Sequence, residues 1–293
     1  LVQYQASPIT LNFKIMRKKI SILAVLIPVL FNSCEEVVNI KLDTQSPKLV
    51  VDAALVWIKG TDGKNQTIKL SSTTGYYQQE IPKVTQATVY MVNSANVRFD
   101  FLEELDLNKP TGRYTCTNFI PVIGETYTLT ILYKGETYEG IETLIPVNKI
   151  EDIEQRDDLG INRDEYGIKV NFKDPFNQKN YYLFSFETAN RKFPDYEVFD
   201  DQFFEGNLGF GVFSDAKSKV GDHIKIKLRG VSQRYFNYMK ILIGTADGGQ
   251  DGPFGPIPSS NIRGNMINKT VNANYCLGYF SLSEADELNY ILK

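Results

Sequence analysis

The chain is predicted to be all-β, with two β-sandwich-like domains, the second carrying a short helix. Three observations carry that prediction. Seventeen Tyr and 18 Phe stand beside a single Trp, in a composition rich in Val, Ile and Thr that suits pleated, half-buried strands. Apolar and polar residues alternate over short segments, as in strands with one face on a core. Breaker-rich turns separate these segments, and no heptad or solenoid period runs through them.

The elements follow in order after an unusual leader. Residues 1–33 contain no Asp or Glu, and positive charge gathers at Lys14, Arg17, Lys18 and Lys19. An apolar run over 20–31 leads through Asn32-Ser33 into Cys34-Glu35-Glu36. That run is about half the roughly 20 residues needed to cross a bilayer, so it reads as the cleavable part of a bacterial lipoprotein signal peptide. Met16 is the expected start, with 1–15 an upstream extension. Cys34 is then the expected lipidation site and mature N-terminus, each buried methylene of its acyl chains adding about 0.8 kcal/mol of membrane affinity. Glu35 and Glu36 resemble the acidic export signal that sends lipoproteins of Bacteroidota to the outer face of the outer membrane. Residues 34–46 are read as a lipidated tether reaching at most about 40 Å.

A first domain is expected over 47–146. Residues 49–58 are strongly apolar and read as a strand buried on both faces, with Trp57 as a core plug. Gly60-Thr-Asp-Gly63 is a turn, and 66–71 and 84–92 are strands. In Gly124-Glu-Thr-Tyr-Thr-Leu-Thr-Ile-Leu-Tyr-Lys-Gly-Glu-Thr-Tyr138, two Thr- and Tyr-rich runs flank Lys134-Gly135, where glycine takes the positive φ of a tight hairpin. This is the expected closing hairpin of an immunoglobulin-like or fibronectin-like sandwich, ended by Pro146.

A second β-rich domain is expected over 147–293. It opens with a charged edge strand and exposed loop at 148–164, then strands at 167–172, 181–186 and 223–228. Residues 232–243 are the helix candidate, with Tyr235, Phe236, Met239 and Ile243 on one stripe. Residues 247–260 form a Gly/Pro loop and 275–280 a strand. In 282–292 a Ser281-to-Glu284 capping box competes with alternating Leu288, Tyr290 and Leu292, and strand is preferred.

Without its leader the chain holds 28 cationic against 35 anionic side chains, a net charge of −7. That argues against nucleic acid as a partner and against docking to anionic lipid by charge. Cys116 and Cys276 are read as two free buried cysteines, with a bridge between them as the alternative. His223 is the only histidine and reads as an exposed strand residue. No P-loop, GxGxxG, GxSxG or CxxC occurs. Gly206, Gly209 and Gly211 sit among phenylalanines with no phosphate-binding helix after them. Asp157-Asp158, Asp164-Glu165 and Asp200-Asp201 read as solvated loop charges. No enzyme activity, cofactor or metal is expected.

One segment is a candidate partner-binding surface. Phe193, Tyr196, Phe199, Phe203, Phe204, Phe210 and Phe213 alternate with acidic residues, and aromatics dominate interface hot spots. The competing reading is a further hairpin with its rings in the core.

Cys34-Glu-Glu, Pro47-Lys-Leu-Val-Val-Asp52, Gly124-Glu-Thr-Tyr127, Asn180-Tyr-Tyr182, Pro253-Phe-Gly-Pro256, Asn261-Ile262 and Leu277-Gly-Tyr-Phe280 together resemble a family of Bacteroidota outer-membrane lipoproteins. It is catalogued as a domain of unknown function and commonly encoded beside TonB-dependent receptors. The resemblance implies a surface accessory protein and supplies no catalytic residue. The expected function is a non-enzymatic subunit of an outer-membrane β-barrel complex, either a TonB-dependent transporter or a larger assembly machinery. The alternative is a glycan- or nutrient-binding lipoprotein using Tyr76, Tyr77 or the 193–213 aromatics.

Labelling cells with radioactive palmitate is expected to mark the polypeptide, and Cys34→Ala is expected to abolish the label. Globomycin is expected to hold the precursor unprocessed.

Overall fold

Among the described residues the chain forms fifteen strands and one α-helix. The computed structural model describes residues 46–75, 78, 80–107, 109–160, 165–246 and 262–293. Cys34, Glu35, Glu36, Tyr76, Tyr77, the 247–260 loop and Pro253-Phe-Gly-Pro256 lie outside them.

The first lobe starts with β1 (Leu49–Ile58), β2 (Gln66–Ser72), β3 (Thr88–Asn93), β4 (Arg98–Asp106) and β5 (Lys109–Cys116). The hairpin β6 (Thr126–Tyr133) and β7 (Glu136–Thr143) follows. Lys134 and Gly135 both take positive φ, 50° and 77°, as a two-residue turn between paired Tyr133 and Glu136 requires. In β1, Leu49, Val51, Ala53 and Leu55 point inward while Asp52 is exposed, so the strand is buried on one face and not on both. Trp57 is half-buried against the core and donates to the Thr61 carbonyl (2.9 Å), a rim position and not a plug. The strand expected from residue 84 begins only at Thr88, because Gln86 adopts φ 60°.

β4 makes the lobe a sandwich. Its first residues pair with β3, and after Phe101 it pairs with β5, so one strand serves both sheets. The two inner faces meet over Val51, Leu55, Ile68 and Tyr114 on one side and Met91, Phe101, Tyr127 and Leu129 on the other. The β6–β7 hairpin does not close the lobe, since β7 pairs onward with β14 (Ile267–Asn268).

The second lobe holds β8 (Ile150–Leu159), β9 (Glu165–Lys173), β10 (Tyr181–Thr188), β11 (Asp195–Asp200), β12 (Leu208–Ser214) and β13 (His223–Gly230). A three-stranded sheet, β12-β9-β8, faces β11-β10-β13-β15. Ile168, Val170, Phe172 and Phe213 pack there against Tyr182, Phe184, Phe186, Ile224, Ile226 and Leu228. The helix α1 (Gln233–Ala246) covers the outer face of the larger sheet, seating Tyr235, Phe236 and Met239 on Leu183, Val231 and Tyr279. Ser232 caps it, accepting the Tyr235 N–H at 3.2 Å.

β15 (Leu277–Ile291) joins the lobes. Its first part runs parallel to β1, from Val50 opposite Leu277 to Ile58 opposite Ala285. Its second part runs antiparallel to β13, from Arg229 opposite Ala285 to His223 opposite Ile291. The expected boundary at residue 146 therefore separates the outgoing chain only. The returning chain crosses it, Met266, Cys276, Phe280 and Leu282 lying in the first core and Leu292 in the second, and Ser46–Lys293 is one compact unit. The strand also displaces the capping-box alternative, since Ser281–Glu284 pair with β1 and the residues after Ala285 pair with β13.

The connection between lobes is clamped onto β15. Glu284 accepts the Val147 N–H (3.0 Å) and pairs with Lys59 (2.7 Å), and Asp286 accepts the Ile150 N–H (2.8 Å). The Glu284 N–H donates to Ile145 O (2.8 Å). Gly230 lies so close to Pro146 O that a Cβ there would collide with it.

Glu284→Ala leaves the Val147 N–H without a partner in a buried site. It is expected to cost about 2–4 kcal/mol in urea denaturation, with a smaller loss for Glu284→Gln.

Candidate functional site

The aromatic segment does not form one surface. Phe213 is 1% exposed and belongs to the second core, which corrects its assignment to partner binding. Phe199 and Phe204 pack inward as well, each 5.9 Å from Phe172 and 5.8 Å from one another between ring centres. Gly209 and Gly211 leave room for these rings, since a Cβ at either would strike Phe204 or Phe184. The exposed members point to different places. Phe193 occupies the turn before β11, Phe210 lies on the outer face of the three-stranded sheet beneath Lys169 (4.8 Å), and Tyr196 faces the side that carries α1. Phe203 projects from the short 3₁₀ turn Asp201–Phe203 and is 90% exposed.

Its spatial companion is Phe176, 75% exposed in the loop before β10 and packed on Gly206. Sequence reasoning missed Phe176 because it lies outside the aromatic run, and only Asp174-Pro-Phe176 hinted at a turn displaying a ring. Two buried carboxylates tie the loops together. Asp174 accepts from the Tyr182 hydroxyl, Asn180 Nδ2 (3.3 Å) and the Gly206 N–H (3.0 Å). Asp201 accepts the Asn180 N–H (2.5 Å) and pairs with Lys179 (3.2 Å). Burial and the Asp174 carboxylate both hold the Tyr182 hydroxyl protonated. The two phenylalanines thus sit on a braced platform, beside a shallow depression lined by Asn177, Lys179, Gln202 and Glu205.

A second surface lies on the outer face of the larger sheet. β13 presents Lys225, Lys227 and Arg229 there, and Glu287 pairs with both lysines (3.0 and 3.4 Å). Arg229 is buried, donates from Nη2 to Ser281 Oγ (3.3 Å) and Ser283 Oγ (3.0 Å), and lies 5.3 Å from the Tyr235 ring. Tyr279 packs against Tyr235 and Tyr238 at 4.9 and 4.8 Å. Burial pushes the Tyr238 hydroxyl up to about 12. It also raises Tyr196, where nearby Arg229 acts in the opposite sense.

Glu142 of β7 binds the start of α1 to the first lobe. It accepts from Ser232 Oγ (3.0 Å), the Thr143 N–H (3.1 Å) and the Tyr279 hydroxyl (3.4 Å). Burial raises its carboxyl above the ordinary value of 4.5.

Among the described residues no group of three or more His, Cys, Asp or Glu is placed to hold a metal, and no helix is long and apolar enough to cross a membrane. Cys116 and Cys276 are free and buried, and burial lifts the Cys276 thiol to about 11. His223 is exposed at the start of β13.

These features define a two-lobed all-β sandwich protein whose lobes share a strand. Residues 35–289 match the family model described as Domain of unknown function (DUF4249), and the chain belongs to that family. No curated protein matches it. Among solved structures, a two-domain fibronectin type-III segment of chicken tenascin is similar at 11% identity and a TM-score of 0.21, over 64% of this chain and 91% of its own. A DUF4785 family protein from Legionella pneumophila is similar at 12% identity and a TM-score of 0.25, over 62% and 52%. The FN1–FN3 domains of chicken CNTN1 are similar at 14% identity and a TM-score of 0.18, over 63% and 59%.

Because burial raises Glu142, the native state keeps a proton that the unfolded chain releases just above pH 4.5. The contribution of this group is full at low pH and is lost as pH rises through its folded value. Glu142→Gln is expected to flatten that part of the stability profile and to keep its urea midpoint at pH 8. Glu142→Ala, which strips Ser232 and Tyr279 of their acceptor, is expected to lose about 1–3 kcal/mol there.

Proposed function

We propose that this protein is a non-enzymatic lipoprotein, anchored through Cys34 and facing the cell exterior, that serves as an accessory subunit of an outer-membrane β-barrel complex. What supports this reading is the cationic and then apolar pattern of 14–31 leading into Cys34-Glu35-Glu36, close in sequence to Ser46, where the compact unit begins. The intervening chain spans at most about 40 Å, so acylation at Cys34 keeps the sandwiches within reach of a membrane-embedded neighbour. A TonB-dependent transporter or a larger assembly machinery is the kind of partner proposed.

The docking surface assigned to that partner is the platform carrying Phe176 and Phe203. Two nearly bare aromatic rings on rigid loops lose little conformational entropy on binding and bury a large apolar area, which is the character of interface anchors. Polar groups around them, including Lys179, Gln202 and Glu205, supply a rim.

Gentle detergent extraction of the tagged protein is expected to bring down a β-barrel partner identifiable by mass spectrometry. The Phe176→Ser/Phe203→Ser pair is expected to lower that recovery at least about tenfold with little change in folding, since both rings are exposed. Recovery of the wild type alone in several mild detergents would overturn the proposal.

A further inference from the structure

We propose that the tip of the β4–β5 hairpin and the loop before Pro82 dip into a lipid surface, with Leu105, Leu107 and Ile81 entering the headgroup layer of the membrane that holds Cys34. The inference rests on the anchoring at Cys34 proposed above. Large apolar side chains exposed singly are ordinary, whereas several exposed at one end of a lobe mark a contact surface. Leu107 is 89% exposed, Ile81 69% and Leu105 56%. Leu107 occupies the turn between paired Asp106 and Lys109 with φ 46°, a left-handed position that suits glycine, asparagine or aspartate and strains a leucine. A bare leucine held in strain adds little to the fold, which leaves its side chain for a task outside it.

Strand register brings these residues to the end of the lobe where the chain enters it. The compact unit begins at Ser46, twelve residues after Cys34. Lys48 and Thr73 are joined there by two hydrogen bonds, each 2.9 Å, and Leu49 pairs with Ser72 at the end of β2. The segment 82–84 lies along that same end of β2, the Ser72 N–H donating to Pro82 O (2.9 Å) and the Val84 N–H to Leu70 O (3.1 Å). Ile81 therefore stands at the margin beside Ser46. β5 pairs with β2 from Cys116 opposite Gln66 to Arg113 opposite Lys69. Followed back from Arg113 toward Lys109, it runs to that same end, and the turn with Leu107 lies past it.

The charges around the tip allow an apolar contact and not an electrostatic one. Over 80–83 and 103–113 there are three cationic side chains, Lys83, Lys109 and Arg113, and four anionic ones, Glu80, Glu103, Glu104 and Asp106. Arg113 is already paired with Glu104 at 2.9 Å. No cationic surplus draws this end to anionic lipid, so the apolar side chains carry the contact and salt leaves it unchanged. The exposed Ile120, Val122 and Ile123 lie at the opposite end of the lobe, where the Phe119 N–H donates to Lys64 O (3.2 Å) beyond the end of β1. The 10 residues of β1 separate the two ends by about 33 Å, and the chain from Cys34 arrives at the hairpin end. β15 starts at this end too, with Leu277 opposite Val50, and carries the second lobe away from the lipid.

The test uses the lipidated protein in phosphatidylcholine vesicles, with an environment-sensitive fluorophore on Leu107→Cys, Ile81→Cys or Ile123→Cys. Cys116 and Cys276 are buried, so the label goes to the introduced thiol. Labels at 107 and 81 are expected to shift their emission to the blue and to be quenched by nitroxide-bearing lipid, while the label at 123 keeps the emission it has in water. Raised salt is expected to change none of these readings. Leu105→Ser/Leu107→Ser is expected to abolish quenching of the label at 81 without lowering the melting temperature, because both leucines are exposed. Protein that floats with the vesicles but shows no lipid quenching at 107 would overturn this inference and leave the anchoring intact. A blue shift at 107 without lipid quenching would point to a second copy of the chain in place of lipid and would overturn it as well. Failure of the protein to float with vesicles at all would overturn the anchoring, and this inference with it.

Discussion

One strand holds this molecule together. β15 spends its first half as the parallel neighbour of β1 and its second half as the antiparallel neighbour of β13, with Ala285 paired to both at the changeover. At about 3.3 Å per residue its 15 residues extend about 50 Å, enough to run through both sandwiches. Neither lobe is complete without it, since Phe280 and Leu282 are core residues of the first and the second would lose the neighbour of β13. The lobes are therefore coupled by backbone hydrogen bonds and not merely by a linker, and free hinging near Pro146 is incompatible with this pairing.

The same strand distributes its side chains so that each face has a task. Glu284 and Asp286 turn toward the connecting segment and take up the N–H groups of Val147 and Ile150. Ser281 and Ser283 turn the other way and receive Arg229. A second tie, from Glu142 through Ser232 to α1, fastens the helix to the first lobe. Charges are thus buried mainly where chain segments must be held at a fixed angle, and hydrogen bonds to backbone and hydroxyl groups offset their desolvation. Arg229 is held by two serine hydroxyls and the Tyr235 ring, with no ion pair among the described residues.

The aromatic segment shows how a linear cluster disperses in a sheet protein. Residues on β11 alternate between faces, so Phe199 enters the core while Tyr196 faces out. Phe203 and Phe204 are adjacent in sequence, yet one is nearly bare and the other packs edge-on against Phe172. Phe176 and Phe203, far apart in sequence, are brought to the same loop platform by the bonds that Asp174 and Asp201 make. A strand period of two and the closing of loops by buried carboxylates explain both the dispersal and the new pairing.

Local chemistry was readable from the residues alone. An apolar run marked β1 without revealing its one-sided burial, alternation marked β2 and β13, the Lys134-Gly135 turn fixed a hairpin, and the Tyr235, Phe236 and Met239 stripe marked α1, because periodicity and turn geometry are short-range properties. The β4–β5 hairpin escaped notice, its inward Phe99 and Phe101 followed by the exposed Leu102, Leu105 and Leu107, which blur the alternation. What only the tertiary structure decided was the partnership of β1 with β15, the return of the chain to the first core, and the burial of Arg229 against two serine hydroxyls. Those depend on contacts between residues far apart in the chain, and hydrophobic pattern records which face of a strand is buried without recording which strand lies beside it.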